Sequence, residues 1–192
     1  MELSSSLRLA FIKNRNILIV LGVVLLLVIY GSIVNLQITT ALLASALRHS
    51  TPLILGAMCG LICERSGIVN IGIEGQMLFS AFIGFLANVY TGNLFISVLI
   101  ALLAGALLGL LMAFMSVTLR TNQIIGGTVI NILALGLTGY FYTAGLRTEG
   151  KLGPIPLGPL ADIPLIGPVL FNNPPITYTT ILLVFIVNFV LF

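Results

Sequence analysis

The sequence predicts an all-α fold: a polytopic bundle of transmembrane helices with about six membrane passes and a broken helix around 48–75. Three observations carry this. The chain of 192 residues is 59% hydrophobic and 7% charged, where a soluble domain carries roughly a quarter charged residues. Residues 16–47, 75–119, 121–146 and 163–192 contain no Asp, Glu, Lys or Arg, and a helix needs about 20 apolar residues to cross a bilayer. These runs are continuously apolar rather than alternating, which argues against a transmembrane β-barrel.

The elements follow in order. Residues 1–16 read as a cytoplasmic N-terminus and 17–192 as the transmembrane domain. Arg8, Lys13 and Arg15 precede a first span at about 17–34, and basic residues stay on the cytoplasmic side. That run is longer than a signal-peptide core and no clean small-x-small cleavage site follows it, so it reads as a retained span. The next apolar stretch, 36–63, is interrupted by Arg48-His49-Ser50-Thr51-Pro52. Thr51 suits a helix cap and Pro52 a first turn, which predicts two helical pieces joined there. A third span covers about 75–91 and ends at the turn signal Thr91-Gly92-Asn93. A fourth covers about 94–118, with Ala101, Gly105, Gly109 and Ala113 at successive i+4 positions. Small residues in such a stripe let helices approach closely, so Gly105 and Gly109 read as packing positions. A fifth covers about 123–145. Residues 146–175 hold seven of the eight prolines and read as an external loop over the membrane face. A final apolar run starts near Ile176 and reaches Phe192 without a stop signal.

The net charge of +3 is spread along the chain and reads as membrane topology, not as a nucleic-acid surface. Cys59 and Cys63 stand at i, i+4 in an apolar stretch and read as small packing residues. A metal site needs more ligands than one cysteine pair and a lone histidine supply. No cofactor pattern, metal cluster or catalytic Ser/His/Asp set is visible, and no P-loop for ATP hydrolysis. His49, the single histidine, reads as structural or interfacial.

Two constellations are left. The segment Glu64 to Gln76, Glu-Arg-Ser-Gly-Ile-Val-Asn-Ile-Gly-Ile-Glu-Gly-Gln, lies between long apolar runs. Polar residues facing lipid are costly, so such a segment faces a cavity or packed protein. Glu64, Arg65, Asn70, Glu74 and Gln76 are the candidate substrate-pathway residues in it. A helix starting near Gly72 aims its N-terminal amides at the segment. The other reading is a cytoplasmic loop whose glycines turn the chain. The second constellation is Arg120-Thr121-Asn122-Gln123, followed by Gly126, Gly127 and Asn131. Gln123, Gly127 and Asn131 share a helix face at i+4 spacing. Gln123 and Asn131 either line the pathway or bond neighbouring helices.

These residues carry a resemblance. Thr51-Pro52-Leu53-Ile54-Leu55-Gly56-Ala57 with Glu64 to Met77, supported by Thr121 to Ala134, resembles the signature of ABC importer permeases of the branched-chain amino acid/ribose superfamily. The nearest branch is that of nucleoside or simple-sugar permeases, and the likeness covers about 40–145. It implies a multi-pass subunit of the bacterial inner membrane that is not itself an enzyme. It implies a second permease subunit, a cytoplasmic ABC ATPase and an extracytoplasmic substrate-binding protein as partners. Such permeases are longer, and their second half carries the ATPase-contacting helix, so the chain is expected to be an N-terminal portion. Two other classes stand beside this: a small ATP-independent channel or facilitator, and an intramembrane enzyme, for which Glu64 and Glu74 are the only candidate carboxylates.

Overall fold

A computed structural model describes residues 15–164 and 166–191. Most of the expected cytoplasmic segment 1–16 lies outside the described residues. Among the described residues, seven α-helices follow one another: α1 Arg15–Val34, α2 Leu36–Arg65, α3 Ile73–Thr91, α4 Leu94–Ala113, α5 Gln123–Phe141, α6 Ile166–Leu170 and α7 Pro175–Leu191. Among the described residues, three helical stretches are long and apolar enough to cross a membrane: Leu36–Arg65, Leu94–Thr118 and Gln123–Phe141. Apolar helices at Ile19–Val34 and Pro175–Leu191 are shorter. The fold is all-α and that of a membrane protein. Large apolar side chains such as Leu103, Leu107, Ile132 and Phe189 are exposed along the helices, a surface that suits lipid and not water.

The described residues divide into two units, one reaching to Arg48 and taking in Ile155–Asn173, the other of His49–Pro154 with the residues from Pro174 onward. In the first unit, Asn35 separates α1 from α2, and its Oδ1 accepts from the Ile38 N–H at 3.1 Å to cap α2. The Pro-rich segment is not featureless. A 3₁₀ turn, Gly158–Asp162, and α6 sit between two short strands, β1 Ile155–Pro156 and β2 Asn172–Asn173. The strands pair antiparallel with Ile155 opposite Asn173. Arg48 holds this segment: its Nε donates to Asn173 Oδ1 at 3.3 Å and its Nη2 to the Asn172 carbonyl at 3.0 Å. Asn173 is fully buried and donates to the Val169 carbonyl at 2.7 Å.

The joint expected at 48–52 is corrected by the structure. α2 runs unbroken from Leu36 to Arg65 with Pro52 inside it. Proline removes one backbone donor, but in an apolar medium every other backbone group on both sides is best satisfied by continuing the helix. The Thr51 hydroxyl, expected as a cap, instead donates to Thr177 Oγ1 of α7 at 3.4 Å. The interruption of the polypeptide's helices falls later, at residues 66–72.

In the second unit α3 is the centre, with α4 and α5 packed on it. Gly92 closes α3 in the left-handed region at φ 62, its N–H bonded to the Asn88 carbonyl. Asn93 caps α4 through Oδ1, which accepts from Phe95 and Ile96. The last turn of that span, Phe114–Thr118, is a π-helix. Asn122 caps α5 in the same way. α5 ends at Phe141, four residues short of the expected 145. A Cβ added to Gly84 would stand 2.9 Å from Ala101 Cβ, and one at Gly105 2.8 Å from Ser80 Oγ. Small residues thus set the α3–α4 distance. Gly109, expected to share that role, has nothing within 4 Å of where its Cβ would lie.

Candidate functional site

α2 ends in an αL cap. Gly67 has φ 80, its N–H bonds the Glu64 carbonyl, and the Ile68 N–H bonds the Cys63 carbonyl at 2.9 Å. Glycine is favoured at this position because a Cβ is strained at positive φ. The chain then crosses residues 68–72 before α3 begins.

That crossing is held by side-chain amides. The Val69 N–H donates to Gln123 Oε1 at 2.7 Å. Asn131 Nδ2 donates to the Ile71 carbonyl at 3.1 Å, and Asn131 Oδ1 accepts from the Gly75 N–H at 2.7 Å. Within the segment, Asn70 Oδ1 accepts from the Gly72 N–H at 3.0 Å and Asn70 Nδ2 donates to Gln76 Oε1 at 3.3 Å. Backbone groups outside a regular helix need such partners where water is scarce.

Glycines permit the approach. A Cβ at Gly127 would lie 2.7 Å from the Gly72 nitrogen, and one at Gly75 would lie 2.6 Å from Asn131 Cα. The face of α5 carrying Gln123, Gly127 and Asn131 therefore packs directly on the polar segment. Four of the sequence-predicted residues, Asn70, Gln76, Gln123 and Asn131, meet around this segment. Glu64, Arg65 and Glu74 lie exposed on its flanks. Glu74 occupies the first turn of α3, where a negative charge faces the positive end of the helix dipole. Gln76 is 8% exposed, and its Nε2 is buried without a partner among the described residues. Leaving a buried donor unpaired costs about 1–3 kcal/mol. The bonds of Asn70 and Asn131 are made within the segment and to its backbone, which makes Gln76 Nε2 the buried donor of the cluster without a partner among the described residues.

Two features escaped sequence reasoning. The Gly72–Gly127 contact joins two glycines in separate motifs, and the only hint was a glycine set between two amides on one helix face. Asn88 is 3% exposed, and its Oδ1 accepts from the Glu149 N–H at 2.9 Å. A lone amide inside an apolar helix was the available signal.

Comparison with known proteins bears on this site. Residues 42–192 match the family described as branched-chain amino acid transport system / permease component. The chain is 37% identical over 172 residues to the guanosine ABC transporter permease protein NupQ of Bacillus subtilis, covering 81% of this chain and 53% of that protein. It is 36% identical over 143 residues to the nucleoside ABC transporter permease protein NupC of Lactococcus lactis, covering 69% and 45%. It is 32% identical over 163 residues to TsgC13 of Haloferax volcanii, provisionally named a glucose ABC transporter permease, covering 82% and 49%. The chain spans about half the length of the curated relatives it matches. No solved structure matches it. A helical membrane chain whose polar segment and α5 face fall inside the matched region belongs to the branched-chain amino acid transport system permease family.

Proposed function

We propose that this chain forms part of the permease subunit of an ATP-driven importer for nucleosides or simple sugars. It lies in a bacterial plasma membrane. Its helices α1 to α5 and α7 supply about six passes, with the Pro-rich loop 146–175 outside. Positive-inside placement of Arg65 and Arg120 puts the 66–72 segment and the α4–α5 corner on the cytoplasmic side. ATP hydrolysis belongs to a separate cytoplasmic ABC ATPase, substrate delivery to an extracytoplasmic binding protein, and a second permease subunit completes the pathway.

The observation that carries this reading is the amide cluster of Asn70, Gln76, Gln123 and Asn131 around a helix interruption in an apolar bundle. Polar side chains at the end of an apolar bundle face a cavity or packed protein rather than lipid, so a cluster where two passes meet the cytoplasmic side suits the inner mouth of a pathway. The unpartnered Gln76 Nε2 donor matches the hydroxyl and carbonyl acceptors of a nucleoside or sugar. The names of the relatives, guanosine and nucleoside permeases among them, agree with that chemistry.

The test is uptake of labelled guanosine and labelled glucose by cells carrying the complete transporter that contains this chain. Asn70→Leu and Glu74→Leu should each lower uptake while the subunit still inserts in the membrane. Unchanged uptake in both variants removes the segment from the pathway.

A further inference from the structure

α3 and α4 meet at the Gly92 turn, and below that turn they border a cleft of about 260 Å³. Gly84 and Ala101 form its narrow part, since a Cβ on Gly84 would stand 2.9 Å from Ala101 Cβ. Phe85 and Val98 are its apolar walls. Thr148 and Gly150, from the chain after α5, line the end near the turn. A Cβ on Gly150 would stand 3.3 Å from Leu94 Cδ1 at the start of α4.

One group does not suit an apolar cleft. Asn88 lines it and is 3% exposed. Its Oδ1 is taken by the Glu149 N–H, and its Nδ2 is buried without a partner among the described residues. Ser97, also buried in the lining, turns its hydroxyl to the Asn93 carbonyl at 2.7 Å. A buried donor is costly until something supplies an acceptor.

The chemistry of the cleft changes along its length. Arg147 and Lys151 are exposed and flank the lining residues Thr148 and Gly150 in the chain. Glu149, between them, lies over the helix cap, its Oε2 3.3 Å from where a Cβ on Gly92 would stand. Asn88 sits about one turn below the end of α3, and Ala81, also in the lining, about 10 Å deeper at about 1.5 Å per residue. Two cations, one amide donor and an apolar groove thus follow one another from the helix ends inward. A glycerophospholipid presents a phosphate, an ester carbonyl and an acyl chain in that order. A soluble solute with polar groups all round would leave the deep apolar part without a match. Basic residues are disfavoured on the outer side of a membrane, and a lipid phosphate gives this pair a counter-charge.

We infer that the cleft seats one phospholipid of the outer leaflet. Its phosphate lies at Arg147 and Lys151, its ester carbonyl accepts from Asn88 Nδ2, and the start of an acyl chain runs over the Gly84–Ala101 contact. The inference rests on the topology proposed above, which puts this end of α3 outside. The α4 face at Leu103 and Leu107 is exposed too, but its side chains offer lipid no such donor.

The experiment uses the complete transporter in membranes holding a trace of phosphatidylglycerol with a diazirine at the ester end of one acyl chain. After illumination, labelled residues are mapped. The seat predicts excess label on Val98 and Ala101 over Leu103 and Leu107. Asn88→Leu should lower that excess about fivefold, the worth of one hydrogen bond, and Arg147→Gln with Lys151→Gln should lower it too. Val98→Phe fills the groove from its exposed side, keeps the Asn88 bond to Glu149, and should remove the excess on Ala101. Equal label on both faces of the wild type, an excess that survives both Asn88→Leu and Val98→Phe, or an excess displaced by guanosine overturns the lipid seat. Topology is read separately, with Cys59, Cys63 and any other native cysteine replaced: an impermeant maleimide should label Lys151→Cys in right-side-out vesicles. If it labels only in inverted vesicles, the proposed topology fails and the outer-leaflet seat fails with it. If it labels from outside and the two faces cross-link alike, the seat alone is wrong.

Discussion

Asn131 and Gly75 are joined by a 2.7 Å hydrogen bond in which the Gly75 N–H donates to Asn131 Oδ1, across 56 positions of sequence. The same side chain donates through Nδ2 to the Ile71 carbonyl. One amide therefore serves the polar segment on both sides of Gly72. Orphan donors at a helix start need such partners, and here a neighbouring helix supplies one.

Replacing Asn131 removes both bonds at once. Asn131→Leu should destabilise the subunit by about 1 kcal/mol, since it loses two bonds and interhelical hydrogen bonds in membrane proteins average about 0.6 kcal/mol each. It should also lower uptake, because the start of α3 loses its fixed position. Thermal unfolding in detergent and uptake of labelled nucleoside check the two effects separately.

Gly127 and Gly109 give a paired prediction. Gly127→Ala places a methyl 2.7 Å from the Gly72 nitrogen, a backbone atom that has no rotamer in which to escape. Overpacking of that kind costs about 1–3 kcal/mol. Gly109→Ala meets open space and gains helix propensity worth up to about 1 kcal/mol. Melting temperatures should fall for the first and hold or rise for the second.

Arg48→Met should loosen residues 155–173. It deletes the donors to the Asn172 carbonyl and Asn173 Oδ1, charge-assisted bonds that are stronger than neutral ones. Hydrogen exchange at the Leu157 N–H, which bonds the Phe171 carbonyl at 2.9 Å, should speed up while exchange in α4 stays the same. Equal exchange in the variant would mean that the segment holds itself without Arg48.

Much of the helical layout was legible because the lipid-facing code is simple. Charge-free runs marked the spans, Thr91-Gly92-Asn93 marked the turn after α3, and the glycines before Glu74 marked its start near Gly72. The layout failed where local signals misled. Thr51-Pro52 looks like a helix start, yet α2 passes through it, since an apolar setting penalises an open backbone more than one missing donor. The candidate residues were legible as polar groups in apolar surroundings. Their partners were not, because Val69 and Gln123 meet across 54 positions, and no local pattern encodes such a pairing. Gly109 shows the converse: the stripe Ala101, Gly105, Gly109 is periodic along α4, but α3 contacts only part of it.

The central claim is that the segment around Asn70 lines the path of the solute. The direct measurement is substrate protection of a single cysteine. In the complete transporter with its native cysteines replaced, Asn70→Cys is reacted with a small polar maleimide, with and without guanosine at rising concentration. The account predicts that guanosine slows labelling in a saturable way, whereas a cysteine at the lipid-exposed Leu103 labels at a rate indifferent to guanosine. Labelling of Asn70→Cys at one rate across all guanosine and glucose concentrations, in a transporter that still takes up either solute, would contradict it.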